Sequence, residues 1–182
     1  MSNFFKIVFK NLKIREAIRS ELEQDLIFIV GYLPGIVGYV GRYLAYKFFF
    51  QKIKGLPFIF PNVRFIHMNK ISLGSNVLIN ANTYIYGRGG VDIGNYVLIS
   101  PGCSIVAGDH NFKKEMPILM QECKQDKIVI EDDVWLGANV VVAGGVTIGK
   151  GAVVGAGSVV VNNLEPYSIN VGIPAKKIKD RV

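Results

Sequence analysis

The chain has 182 residues, half of them apolar, with 20 glycines against 7 prolines and a formal charge of +7. That length suits one domain with a sizeable core, and the apolar share excludes a disordered chain. Abundant glycine beside many Val and Ile residues predicts short strands with tight corners and argues against a helix-rich fold. The charge is uneven: residues 1–60 hold nine Lys/Arg against four Asp/Glu, whereas 61–182 hold twelve against ten. Cys103 and Cys123 lack metal-site spacing and no cleavable leader is evident, so a reducing, cytosolic setting is expected.

Phe4, Phe5, Val8, Phe9, Leu12 and Ile18 recur at helical spacing with basic residues between them, which predicts a basic amphipathic helix over Met1 to Gln24. Leu26 to Gly41 then carry no charge. A membrane span needs about 20 apolar residues, and this run is shorter and interrupted by Pro34. Residues 1–60 therefore read as a helical segment, one helix before and one after Pro34. Aromatic and basic residues mixed on it favour contact of residues 1–54 with an anionic membrane surface, peripheral on the cytoplasmic face. The alternative is that the same face packs on the rest of the protein or on a neighbouring subunit.

From Leu73 the pattern changes. Aliphatic residues fall every sixth position: Leu73, Ile79, Ile85; then, after a two-residue slip, Ile93, Ile99, Ile105; then Ile130, Leu136, Val142, Ile148, Val154, Val160. Small residues such as Val77, Thr83, Cys103, Ala152 and Ser158 follow four positions later. Such a hexapeptide period predicts a coil with three flat faces. Each unit lays down a short strand and a corner, one aliphatic side chain points inward, and stacked turns pair as parallel strands. Residues 61–182 are thus read as an all-β, parallel β-helix domain, with a short C-terminal tail at 166–182.

The register breaks after Ile105 and returns at Ile130, so residues 111–127 are predicted to form a loop extruded from one corner. Loops on rigid scaffolds commonly carry function. His110 stands at the junction, and a lone histidine there is more often structural than catalytic. Asp109 beside it points the other way on an extended strand and reads as a solvated charge or a corner hydrogen-bonder, while Glu122 or another loop carboxylate could orient the ring. His67, ahead of the regular repeat, reads as structural, and Cys103 as core packing.

The repeat, with IVIEDDVWLGANVVVAGGVTIGKGAVVGAGSVV followed by VGIPAKKIK, resembles the left-handed parallel β-helix of the hexapeptide-repeat acyltransferases, in their galactoside, maltose and capsule-type O-acetyltransferase branch. The resemblance runs from Leu73 to about Lys179. It implies an acetyl-CoA-dependent transfer to a sugar hydroxyl in surface polysaccharide or lipid-linked glycan synthesis, with His110 as general base. It implies Asn80 and Trp135 as substrate-binding residues, and Trp135, Ala138, Ala156, Lys176 and Lys179 as contacts of the coenzyme. A homotrimer with sites between subunits is implied as well. Imidazole suits the role, because it exchanges protons near neutral pH. A backbone N–H near Gly137 or Ala138 and the Asn80 amide are candidate oxyanion donors. The chain departs from many relatives at Val161 and Asn162, where a Thr-Lys pair is common, which puts one phosphate contact in doubt.

Rival readings are a non-catalytic scaffold and an acetyltransferase with a non-sugar acceptor. A zinc enzyme of the carbonic-anhydrase-like type would need three histidines, and the chain has two; no metal is expected. A nucleotidyltransferase would need a nucleotide-binding domain ahead of the helix. The basic residues form no repeated phosphate-contacting face, so nucleic acid is set aside.

Overall fold

The computed structural model describes residues 14–182. The expected basic helix before Ile14 lies outside the described residues. From there, α1 (Ile14–Gly31) and α2 (Gly35–Tyr46) flank Pro34, whose ring and missing N–H prevent one helix from running through.

A β-solenoid of about six turns follows. Face one stacks β1 (Lys52–Ile53), β4 (Ile71–Leu73), β7 (Val91–Ile93), β12 (Ile128–Ile130) and β15 (Thr147–Ile148). Face two stacks β2 (Phe58–Ile59), β5 (Leu78–Ile79), β8 (Leu98–Ile99), β13 (Trp135–Leu136), β16 (Val153–Val154), β18 (Ser168–Gly172) and β19 (Ala175–Asp180). Face three stacks β3 (Arg64–Ile66), β6 (Tyr84–Tyr86), β9 (Ser104–Val106), β14 (Val141–Val142) and β17 (Val159–Val160). The hexad residues lie directly above one another. Leu73 pairs with Ile93, Ile93 with Ile130 and Ile130 with Ile148, and the other two faces repeat the pattern. All twelve are buried, so the core is one continuous column of aliphatic side chains.

One expectation is corrected, and the tail takes a definite form. The coil starts at Lys52, so the segment expected to be helical to residue 60 is helical only to Tyr46 and supplies the first two strands. Ile53, Ile59 and Phe65 are its inward residues and pair with Leu73, Ile79 and Ile85. Their spacing is six, followed by the same two-residue slip seen later, but it is hidden in an aromatic run. The tail at 166–182 is a hairpin: β18 extends face two and β19 pairs back antiparallel to it, covering an edge that would otherwise be open.

The helices close the first coil. Tyr46 and Phe50 pack edge-on against Phe65 at centroid distances of 5.9 and 5.0 Å. Arg42, 2% exposed, donates from Nε to Ile59 O at 2.8 Å and from one terminal nitrogen to Leu33 O at 2.7 Å and Val30 O at 3.3 Å. One guanidinium thus donates to carbonyls at and just beyond the end of α1, where the helix's own donors run out, and ties both helices to β2. So part of the N-terminal segment packs on the body of the protein. Its outer face keeps Phe28, Ile29, Ile36 and Val37 exposed. Among the described residues no helix is long and apolar enough to cross a membrane.

Candidate active site

Strand alternation builds the site. On β6, Ile85 points into the core, so Tyr84 and Tyr86 point out, and Arg88 continues the same outward series beyond the strand. On β9 the outward Val106 lies opposite Tyr86. Gly108 follows, where a Cβ would stand 3.1 Å from Tyr86 Cε1, so a side chain there would press on the ring and shift it by a few tenths of an ångström.

The chain then leaves the coil. β10 (Asp109–His110) pairs antiparallel with β11 (Cys123–Lys124), His110 opposite Cys123. Between them the loop folds on Gln121, 8% exposed, whose amide nitrogen donates to Lys114 O at 3.1 Å and Met116 O at 3.0 Å. The extruded loop therefore has its own hydrogen-bonded frame, and its neck is a two-stranded clamp that holds the histidine.

These elements surround a cavity of about 340 Å³. Val106 and Gly108 form its floor, Tyr84, Tyr86 and Arg88 one wall, and Asp109, His110 and Cys123 the other. His110 is exposed, and its Nδ1 lies 3.7 Å from Cys123 Sγ. Asp109 Oδ1 accepts the His110 backbone N–H at 2.7 Å. Burial first, and then the neighbouring Tyr86, push the Tyr84 hydroxyl pKa up. A hydrogen bond from Arg88 to the Tyr86 hydroxyl favours the charged guanidinium and raises its pKa. His67 sits at the corner before β4 with its ring edge-on to Tyr86 at 5.5 Å.

The remaining sequence-predicted residues form a second group. Asn80, Ala138 and Ala156 follow β5, β13 and β16 on the corner between faces two and three; Ala138 and Ala156 are in adjacent layers, and the β8 layer separates Asn80 from them. Ala138 O accepts the Gly157 N–H at 2.8 Å. Trp135 is half exposed on face two, and its Nε1 donates to Ser100 Oγ at 3.0 Å. The Asn80 side-chain amide donates to Ile99 O at 2.9 Å, and the Gly137 N–H is committed to Val154 O at 2.8 Å. Lys176 and Lys179 lie on β19, three strand spacings or about 14 Å from β13 on the same face. Lys177 between them is held by Glu165 and Asp180.

Within one chain this column does not meet His110. It lies at the beginning of face three and His110 beyond its end, a separation on the order of 15 Å. Tyr84, Tyr86, Arg88 and Cys123 were missed as site residues by sequence reasoning. The first three could have been found from the alternation in TYIYGR one coil below His110; Cys123 could not, because only the loop closure brings it back. Among the described residues no cluster of three or more His, Cys, Asp or Glu side chains is placed to hold a metal ion.

Residues 127–162 match the family model described as bacterial transferase hexapeptide (six repeats). The fold is similar over the whole of both chains to a hexapeptide-repeat-containing acetyltransferase of Vibrio cholerae solved with acetyl-coenzyme A, with a TM-score of 0.85 and 26% identity. It is similar to a galactoside acetyltransferase solved with coenzyme A over 100% of this chain and 92% of that one, with a TM-score of 0.84 and 26% identity. In sequence, 120 residues are 32% identical to the galactoside O-acetyltransferase of Escherichia coli, covering 66% of this chain and 59% of that enzyme. The chain spans less than two thirds of the length of the first curated relatives it matches. Residues 127–162 thus carry the hexapeptide transferase repeat, and with its stacked hexads and its loop at the third corner the whole chain is similar in fold to hexapeptide-repeat acetyltransferases.

Proposed function

We propose that the protein transfers an acetyl group from acetyl-CoA to a hydroxyl of a sugar in surface polysaccharide or lipid-linked glycan synthesis, with His110 as the general base. The observation that carries this is the placement of His110: exposed at the rim of a cavity, on a strand clamped by β11, with one ring nitrogen against Cys123. In the tautomer that donates Nδ1–H to the sulfur, Nε2 is free to accept a proton. The acceptor oxygen attacks the thioester carbonyl as Nε2 takes its hydrogen. The C–O bond forms, the C–S bond breaks, and the imidazolium returns the proton to the departing thiolate. Oxyanion donors are the Ala138 N–H and the hydrogen of the Asn80 amide that is not on Ile99 O.

The coenzyme's pantetheine arm is assigned to the corner beside Trp135, Ala138 and Ala156, and its phosphates to Lys176 and Lys179. Because that corner and His110 lie at opposite ends of face three, the reading places each site between two copies of a homotrimer. The exposed Phe28, Ile29, Ile36 and Val37, in a basic N-terminal third, support peripheral attachment to the cytoplasmic membrane face.

The test is coenzyme A release from acetyl-CoA with a panel of sugar acceptors. His110→Ala is expected to lose roughly 10²- to 10⁴-fold in rate; a variant at the wild-type rate would overturn the mechanism. Co-expressed His110→Ala and Asn80→Ala chains should regain activity in mixed trimers, and no regain counts against shared sites. For the membrane, deleting residues 1–54 would remove β1 and the Tyr46 and Phe50 cap, so Ser at Phe28, Ile29, Ile36 and Val37 is the cleaner variant. Equal sedimentation of both proteins with anionic liposomes would remove the idea.

A further inference from the structure

Arg88 is a cation in the cavity of His110 that no carboxylate of the described residues neutralises. It forms no salt bridge there, and its side-chain partner is the Tyr86 hydroxyl, which leaves several of its five N–H donors for a ligand. The acidic groups nearby are already engaged. Asp109 gives one oxygen to the His110 backbone, Asp126 lies 3.9 Å from Lys124, and Asp92 pairs with Lys127 at 2.5 Å. Behind Arg88, Lys70 Nζ donates to the Arg88 carbonyl at 2.8 Å and to Gln125 Oε1 at 3.1 Å, adding a second cation at the same end. A half-buried guanidinium without a counter-ion is a cost to the empty protein that a bound anion offsets.

The rest of the wall that carries Arg88 differs in character. The Tyr84 and Tyr86 rings stack 6.4 Å apart and within 13° of parallel, so they offer aromatic, apolar surface that ends in two hydroxyls. A volume of about 340 Å³ is at the small end of the range for ligand sites, roughly 300–1,000 Å³, and accommodates one sugar ring with a substituent.

We infer that the acceptor sugar carries an anionic group, a carboxylate or a phosphate, which Arg88 grips while the ring lies along Tyr84 and Tyr86 and presents a hydroxyl to His110. This rests on the acetyltransferase reading above and narrows its substrate class. Arg88 is then a specificity-determining residue: the guanidinium fork matches two oxygens of either anion, which a neutral hydroxymethyl group cannot supply.

The experiment compares methyl glucoside, methyl glucuronide and glucose 6-phosphate as acceptors, with wild type, Arg88→Gln and Arg88→Lys. Wild type is expected to favour one of the anionic sugars over the glucoside by at least about tenfold in kcat/KM, as a charge-assisted pair gives. Arg88→Gln should bring that ratio near one, and Arg88→Lys should keep part of it. The glucuronide and phosphate arms identify which anion is read. Equal use of neutral and anionic sugars by wild type, or an unchanged ratio in Arg88→Gln, overturns the inference and leaves the acetyltransferase reading standing. If no sugar releases coenzyme A, that reading fails on its own, and saturation-transfer NMR with the same three ligands decides the inference. Signals from an anionic sugar that vanish in Arg88→Gln support it, and equal or absent signals overturn it.

Discussion

His110 Nδ1 and Cys123 Sγ face one another at 3.7 Å across the pairing of β10 with β11, although thirteen positions separate them in the chain. Antiparallel pairing puts opposed side chains on one side of a ribbon, so the clamp that holds the loop closed also fixes what the imidazole sees.

A thiol reagent should therefore stop the enzyme through Cys123. Cys103 is buried while Cys123 is partly exposed, so iodoacetamide is expected to modify Cys123 alone in the folded protein. The added group would occupy the space beside His110 and cost roughly a hundredfold or more in transfer rate, the scale of a lost general base. Cys123→Ser should remain active and become insensitive to the reagent. Mass spectrometry of the alkylated protein alongside the rate gives the check; full activity after stoichiometric modification of Cys123 would sink the prediction.

Tyr46 predicts an alkaline limit to stability. Its ring is 1% exposed, its hydroxyl has no hydrogen-bond partner among the described residues, and burial pushes its pKa up to about 12 against a partial lowering by Arg42. Below pH 10 the phenol is protonated in both states and contributes no pH dependence. Between 10 and about 12 the unfolded chain loses its proton and the folded one does not, so stability falls over that window. Tyr46→Phe should flatten this part of the profile and add about 1 kcal/mol at neutral pH, because it removes an unsatisfied buried hydroxyl. Urea unfolding of both proteins at pH 7, 10 and 11 measures it.

Arg42 should be the most sensitive charged residue in the N-terminal segment. Arg42→Ala withdraws the donor from three carbonyls at once, with an expected loss of about 3 kcal/mol. Arg42→Lys should recover only part, since a single ammonium cannot reach both Ile59 O and the end of α1 with the same fork geometry. Hydrogen exchange should show α1 amides losing protection before the coil does.

At Tyr96 a substitution should stabilise. The residue takes a left-handed φ of 58° at a corner and is exposed, whereas the coil before it uses Asn76 at the same angle and the coil after it Asp133. Tyr96→Asn is expected to gain about 1 kcal/mol, raising Tm by about 2–4 °C at this chain size.

The hexads from Leu73 onward were legible because every inward residue is aliphatic and every layer repeats. The first coil was not, because Phe65 stands where an aliphatic residue recurs elsewhere and the flanking Phe48, Phe49, Phe50, Phe58 and Phe60 blur the period. Of the site, His110 could be singled out by its place at the break in the repeat. Its neighbour Cys123 depended on how the loop returns, and Arg88 on reading outward residues where attention goes to inward ones. The C-terminal strand β19 was hidden because its lysines suggest a solvated tail, while the hydrogen bonds that make it a strand belong to β18.

The chain departs from the coil after Ala107 and re-enters at Ile128, yet β12 pairs with β7 in perfect step, Ile130 above Ile93, as though the excursion had not occurred. The excursion is therefore a parenthesis in the folding grammar of the protein. The solenoid can inherit its stability while the bracketed residues drift, lengthen or are grafted from elsewhere, provided the two sides of the bracket still meet. New acceptors can thus be reached by descent without renegotiating the scaffold.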